Sequence, residues 1–280
     1  MNTESGAAQA AAWKSTGGNA WVEAQALLDG MFLPFEQRLV AAAVARPRRG
    51  VLDIGCGTGA TTLAVARALG APAGCVGVDI SEPMLSAARA RAQRESLPAE
   101  FVLADAQTCA FEAGSVDLVM SRFGVMFFAD PVAAFANLRR AARDAADLCL
   151  IVWRGPQDNP FMTTAERAAS PLLPALGRRE TGAPGQFGLG DPQQVRGILQ
   201  DSGWSAIDIA PLDAACAFPA AQLPMYLSRL GPLGRILPEV AEPLRSEVLA
   251  TVRAAFEPYV QGDTVRFNAA CWMIGARASA

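Results

Sequence analysis

The 280-residue chain contains no histidine and a single lysine, Lys14. Without histidine there is no imidazole general base, no Ser–His or Cys–His nucleophile pair and no His-ligated metal. With its one lysine near the start, the chain has no suitable Schiff-base residue, and the G-x-x-x-x-G-K-[ST] phosphate loop is absent. The six cysteines, at 56, 75, 109, 149, 216 and 271, form no C-x-x-C pair. Several lie in apolar runs and read as buried free thiols of a reducing cytoplasm. No apolar run reaches membrane-span length; "DLCLIVW" (147–153) is strand-sized. The opening "MNTESGAAQAAAW" lacks the basic and apolar regions of a secretory leader. A formal charge of −3 gives no long-range attraction for nucleic acid or an anionic membrane, so the expected partner is a small molecule.

What is present is globular, with 51% hydrophobic and 18% charged residues. Residues 1 to about 12 read as frayed, and 21–45 have helical periodicity broken near Gly30 and Pro34. From residue 50 strands and helices alternate. Strands are expected at 50–55, 74–80, 99–106, 115–122 and 146–154. Helices are expected at 58–69, stopped by Gly70 and Pro72, at 81–95 with Ser81 as N-cap, and at 130–142 with an Asp-Pro start. This pattern implies a parallel sheet covered by helices on both faces. The second half predicts a short helix at 161–176, a helix at 191–203, a strand at 204–212, Pro- and Gly-broken helices over 219–260, and a closing strand at 264–278.

The stretch "VLDIGCGTGA" (51–60) is a buried strand running into a glycine turn. Gly55, Gly57 and Ala60 satisfy G-x-G-x-x-G/A, and Asp79 closes the next strand, so a dinucleotide site fits the letter of the pattern. Gly55-Cys56-Gly57-Thr58-Gly59 also reads as G-x-G-x-G with an acid, Asp53, two residues ahead. A carboxylate beside the loop suits an ammonium and would repel a phosphate.

In these residues the chain resembles the class I S-adenosylmethionine-dependent methyltransferases. The resemblance implies a Rossmann-like α/β fold: a doubly wound, seven-stranded mixed sheet with the last strand antiparallel. It implies S-adenosylmethionine as cofactor, S-adenosylhomocysteine as product, and no metal. The glycine loop, with Asp53, Gly55, Cys56, Gly57 and Gly59, would pass under the methionine part. Asp79 would accept from the ribose hydroxyls, and Ile80 and Met84 would give apolar contact to adenine or ribose. Asp105, with Ala106, would face the adenine amino group, and Ser121 and Arg122 would sit at the end of the fourth strand. Trp13, Gly18 and Trp21 are similar to a W-x4-G-x2-W pattern of small-molecule members such as the quinone-biosynthesis branch, in a segment that packs over the methionine end, with Trp21 near the cofactor. One departure is "RRAARDAADL", where members often have a Pro-Gly-Gly turn before strand five.

Each residue also has a plainer reading. The glycines can form a structural turn, and Asp79 and Asp105 can cap turns. Ser121 and Arg122 can be backbone contacts, and the tryptophans can be packing residues. Cys56 shows no sign of an activated thiolate. The expected organisation is an N-terminal helical lid (1–45) on one methyltransferase domain (46–280), with the 155–190 loops and the 219–260 helices as a substrate cap. The expected acceptor is a small apolar or aromatic molecule methylated at O, N, S or C, near Trp21, Phe32, Phe123, Phe127, Phe128, Trp153 and Phe161. No residue is singled out as catalytic. Asp130, Asp158, Asp191, Asp213, Tyr226 and Tyr259 are the remaining candidates for a base. An NAD-dependent reductase and a non-catalytic S-adenosylmethionine-binding protein are the alternatives; this chain has neither a suitable lysine nor a histidine for the reductase.

Overall fold

A computed structural model describes residues 11, 13–70, 73–176 and 183–279. The expectations for most of residues 1–12, for Pro72 and for part of the 177–190 loop fall outside the described residues. Among the described residues eight strands form one sheet. They are β1 (Gly50–Ile54), β2 (Gly74–Asp79), β3 (Ala99–Leu103), β4 (Val116–Arg122), β5 (Ala142–Trp153), β6 (Trp204–Pro219), β7 (Val260–Gln261) and β8 (Thr264–Ala278). The order is β3-β2-β1-β4-β5-β8-β6, with the two-residue β7 folded back on β8. β3, β2, β1, β4 and β5 are parallel; β8 runs antiparallel to both β5 and β6. The seven-stranded mixed sheet with an antiparallel last strand is therefore present, with β7 as a small addition.

The helices are α1 (Thr16–Glu23), α2 (Gln25–Met31), α3 (Leu33–Val44), α4 (Ala60–Leu69), α5 (Glu82–Glu95), α6 (Pro131–Ala141), α7 (Pro160–Ala169), α8 (Pro192–Asp201), α9 (Leu223–Arg229), α10 (Gly231–Ile236) and α11 (Leu244–Ala255). Asp130 and Asp191 cap their helices by accepting from the backbone N–H of Ala133 and Gln193. A main core gathers α2, α3 and α6 with the central strands, and a smaller one closes α4 and α5 over Phe101. No helix among the described residues is long and apolar enough to cross a membrane.

Four expectations are corrected. β3 ends at Leu103, so Asp105 lies in the following turn. There its carboxylate accepts from the N–H of Gln107 at 2.9 Å. β6 runs on to Pro219, because its pairing with β8 continues to Thr264. Ser81 occupies the N-cap position of α5 without a side-chain cap; its buried Oγ has no hydrogen-bond partner among the described residues. The reason lies in α1. A Cβ on Gly18 would fall 2.3 Å from Ser81 Oγ, so the glycine of the W-x4-G-x2-W pattern lets α1 lie directly on this serine. Finally, β5 begins at Ala142, straight from the end of α6. The left-handed backbone that a glycine would take there is adopted by Ala145, at φ +61°.

Candidate active site

The carboxyl ends of β1, β2 and β4 meet where β1 is flanked by β2 on one side and β4 on the other, the position at which doubly wound sheets open a crevice. The glycine loop leaves β1 here. The N–H groups of Gly55 and Cys56 donate to Val78 O of β2 at 2.8 and 3.2 Å, which fixes the start of the turn against the neighbouring strand. Gly55 has φ +65°, and a Cβ on it would lie 2.5 Å from Gly124 Cα. Two loops, one after β1 and one after β4, thus touch backbone to backbone. Gly57 has φ +55°, and its absent Cβ would meet only Met84 Sδ, at 3.7 Å. Gly59 differs in kind: it packs where a Cβ would strike Ala88 and Phe101, under α5 and β3.

Asp79 closes β2 and is buried. Its Oδ2 accepts from the N–H of Gly57 and its Oδ1 from the N–H of Ser81, both at 2.9 Å. One carboxylate therefore holds the glycine turn and the start of α5 in fixed relation. Burial pushes its pKa up, and the backbone donors of Gly57, Ser81 and Ile80 pull it down, with burial the stronger.

Asp53 is 1% exposed and accepts from Thr62 Oγ at 2.6 Å. Burial raises its carboxyl to about 7, against the Thr62 hydrogen bond and the positive charge of Arg122. Arg122 is half-buried and lies over the Phe32 ring at 5.8 Å. Burial lowers its guanidinium from the ordinary value, while Glu36, Asp29 and Asp53 oppose that shift. The Cys56 thiol is pushed well above its usual range by burial and then by the charges of Asp79 and Asp53, which makes it inert as a nucleophile.

A cavity of about 440 Å³ opens over this end of the sheet. Of the residues singled out from the sequence, Trp21, Gly55, Gly57, Asp79, Ile80, Met84, Asp105, Ala106 and Arg122 line it. Asp53 and Cys56 do not. They line a small adjoining void of about 30 Å³ that is also walled by Trp21, Asp29, Gly57 and Arg122. Gly59 and Ser121 line neither. The Ser121 hydroxyl donates to Ile54 O at 2.7 Å and accepts from the Gly124 N–H at 3.1 Å, joining the ends of β1 and β4 from behind the site.

The seven apolar and aromatic residues expected near the acceptor, Trp21, Phe32, Phe123, Phe127, Phe128, Trp153 and Phe161, all line the cavity. Phe123 stacks on Trp153 with ring centroids 4.7 Å apart, and its own backbone sits at φ +65°, unusual for a side-chain-bearing residue. Of the candidate bases only Tyr226 lines the cavity. Asp130 and Asp191 are spent on helix caps, and Asp213 pairs with Arg154 at 3.0 Å.

Sequence reasoning missed Gln107, Gly124, Glu166, Gln186, Arg229 and Arg235, which also line the cavity. For Gly124 a signal existed, since "SRFG" directly follows a strand. For the others none did, because they reach the cavity from the turn after β3, from α7, from the segment before α8 and from α9 and α10, whose placement no local pattern fixes. Gln107 is held there by its Oε1, which accepts from the N–H groups of Ala129 and Asp130 at 2.8 and 3.1 Å.

A family model described as "Methyltransferase domain" matches residues 51–145, the stretch from β1 into β5. Nocamycin O-methyltransferase of Saccharothrix syringae is 35% identical over 142 residues, 50% of this chain and 49% of that one. The matched stretch thus spans about half of that relative's length. Demethylmenaquinone methyltransferase of Thermus thermophilus is 31% identical over 185 residues, 63% of this chain and 83% of the relative. Among solved structures the YcgJ protein of Bacillus subtilis superposes with a TM-score of 0.58 at 16% identity, covering 88% of this chain and 98% of that one, a likeness of fold. The chain belongs to the class I S-adenosylmethionine-dependent methyltransferases.

Proposed function

We propose that the protein transfers a methyl group from S-adenosylmethionine to a small, apolar or aromatic acceptor. The observation that carries this reading is the junction of Gly57 and Asp79. A glycine turn with room on its cavity side is tied by a buried carboxylate to the wall of a 440 Å³, largely apolar cavity. The residues present fit the cofactor. Each Asp79 oxygen already accepts one backbone N–H and keeps a lone pair for a ribose hydroxyl. Ile80 and Met84 offer apolar contact to ribose or adenine, and Asp105 with Ala106 and Gln107 offers a polar edge for the adenine amino group. Asp53 and Arg122, of opposite charge around one small void, suit the ammonium and carboxylate of the methionine end, with Trp21 covering it. Gly59, Cys56 and Ser121 serve this site by shaping the backbone around it.

The bound cofactor supplies a methyl group on a sulfonium, which is already a good leaving group. The chain's own residues then have to align the acceptor and exclude water. The described part of the N-terminal segment, α7 and the 219–260 helices form the walls that do so, as a lid and cap on the sheet. The relatives named for nocamycin and demethylmenaquinone support a small-molecule acceptor. Calorimetry with S-adenosylmethionine, S-adenosylhomocysteine and NAD side by side tests the cofactor. Binding of NAD alone would sink the reading. A methyl-transfer screen over small phenols, amines, thiols and stabilised carbanions then finds the acceptor atom.

A further inference from the structure

On the cavity wall the Tyr226 hydroxyl is poorly matched. Tyr226 sits on α9, and its ring is clamped by Phe161, Phe218 and Phe256 at centroid distances of 5.5, 5.3 and 6.1 Å. Those three rings fix the ring plane and leave the hydroxyl little freedom. Tyrosine hydroxyls buried in such surroundings ordinarily find an oxygen or nitrogen partner. Here, among the described residues, the only hydrogen-bond partner is Met162 Sδ, at 3.7 Å. A thioether is a weak acceptor. Both Tyr226 and Met162 line the cavity, so a ligand oxygen can replace the sulfur without any change of fold. Burial, and then the charge of Glu166, hold the phenol far above its usual pKa. It therefore stays protonated across the physiological range and acts as a donor, with no part as a base.

We propose that Tyr226 is a specificity-determining residue whose hydroxyl donates a hydrogen bond to an oxygen of the methyl acceptor, so that the acceptor is an oxygenated apolar ring compound, with a carbonyl, ether or hydroxyl oxygen lying against α9. This rests on the methyltransferase reading for the identity of the ligand, and on the geometry of the cavity wall for the oxygen. It also assigns the polarity of the contact: the protein donates and the acceptor accepts. A plain hydrocarbon of equal shape would leave the phenol on its thioether.

The test pairs a ketone with its hydrocarbon analogue. The affinities of 1-tetralone and tetralin for the full chain saturated with S-adenosylhomocysteine are measured by equilibrium dialysis, for the wild type and for Tyr226→Phe. The ratio of the tetralin to the tetralone dissociation constant is expected to fall roughly three- to tenfold in the variant, the range of one neutral hydrogen bond. Affinity for S-adenosylhomocysteine, read by calorimetry on the same samples, is expected to stay unchanged. A ratio within twofold of wild type overturns the proposal. Loss of S-adenosylhomocysteine binding by the wild type would instead overturn the methyltransferase reading, so the two failures are distinguishable. If Tyr226→Phe does not fold, Met162→Leu decides. Removing the competing sulfur is expected to raise the ratio, and an unchanged or lowered ratio overturns the proposal.

Discussion

Asp53 carries a charge question that its neighbours only partly answer. Its buried carboxyl has a pKa of about 7, raised from an ordinary value of 3.8, with Thr62 and Arg122 pulling the other way. The folded state therefore holds this proton more tightly than the unfolded chain does. Between pH 4 and pH 7 the unfolded state loses the proton first, and stability falls as pH rises. The penalty grows by about 1.4 kcal/mol for each pH step of one across that window. Asp79 and Glu36, also raised by burial, add in the same direction, whereas Asp117, lowered by the N–H groups of Arg49 and Gly50, acts below the window. The ligand-free protein is thus expected to melt higher at pH 5.5 than at pH 8. Asp53→Asn is expected to raise the melting temperature at pH 8 and leave it little changed near pH 4.5. Thermal scans at both pH values check this, and a variant that lowers the melting temperature at pH 8 would contradict it.

The two loop glycines separate at the same scale. At Gly55 an added Cβ meets backbone at 2.5 Å, so Gly55→Ala is expected to lose several kcal/mol of stability. At Gly57 the added Cβ meets only a flexible thioether, so Gly57→Ala is expected to cost about 1 kcal/mol through its positive φ. Its larger effect is expected on S-adenosylhomocysteine affinity, because the methyl group projects where the backbone faces the cavity. Asp79→Ala should cost at least tenfold in that affinity. It should also cost stability, because the buried Ser81 N–H and the half-buried Gly57 N–H lose their acceptor. Paired calorimetry and thermal melts on the three variants separate the two losses.

At the scale of elements, the site depends on strand ends held in register from behind. Ser121 joins Ile54 O to the Gly124 N–H, which sets the distance between the glycine loop and the loop carrying Phe123. Ser121→Ala is expected to destabilise by about 1–3 kcal/mol, since a half-buried N–H and a buried carbonyl lose their partner. Cofactor affinity should fall less than in Asp79→Ala. A larger fall would return Ser121 to direct contact with the ligand. The strand–turn–helix of residues 50–69 was legible because apolar strand, glycines and helix follow each other within twenty residues, and local rules fix all three. The length of β6 was not legible: past Leu212 its residues are held by pairing with β8, a partner some fifty residues away in the chain.

At the scale of the whole molecule, side-chain hydrogen bonds tie the start of α7 and the segment before α8 to β8. Asn159, at the start of α7, is 1% exposed. Its Nδ2 donates to Gly155 O and Ala270 O, and its Oδ1 accepts from the Ala270 N–H at 2.9 Å. Trp272 Nε1 donates to Gly190 O at 2.8 Å, tying the segment before α8 to the same strand. Asn159→Ala is expected to cost about 2–4 kcal/mol and to reduce methyl transfer more than S-adenosylhomocysteine affinity, because it frees the substrate walls and leaves the β1–β2 end intact. Equal loss of both would show that cap and cofactor end are one unit.

The order of strands and helices, the glycine turn and the identity of Asp79 as the acid closing β2 follow from the sequence alone, because each rests on neighbours a few residues apart. The aromatic lining was also legible, since a cavity over the strand ends draws on the apolar residues that follow those strands. Asp79, Asp105 and Arg122 were read from the sequence as cavity-facing, but the other polar groups on the wall were decided only by tertiary structure. Ser121 and Asp53 each sit one position from a residue on its wall, Arg122 and Ile54, yet turn behind it or into the adjoining void, while Glu166, Tyr226 and Arg235, distant in sequence, come to the wall on helices. A strand alternates its faces by local geometry, but the face a capping helix presents is set by what it packs against, and that partner lies far along the chain.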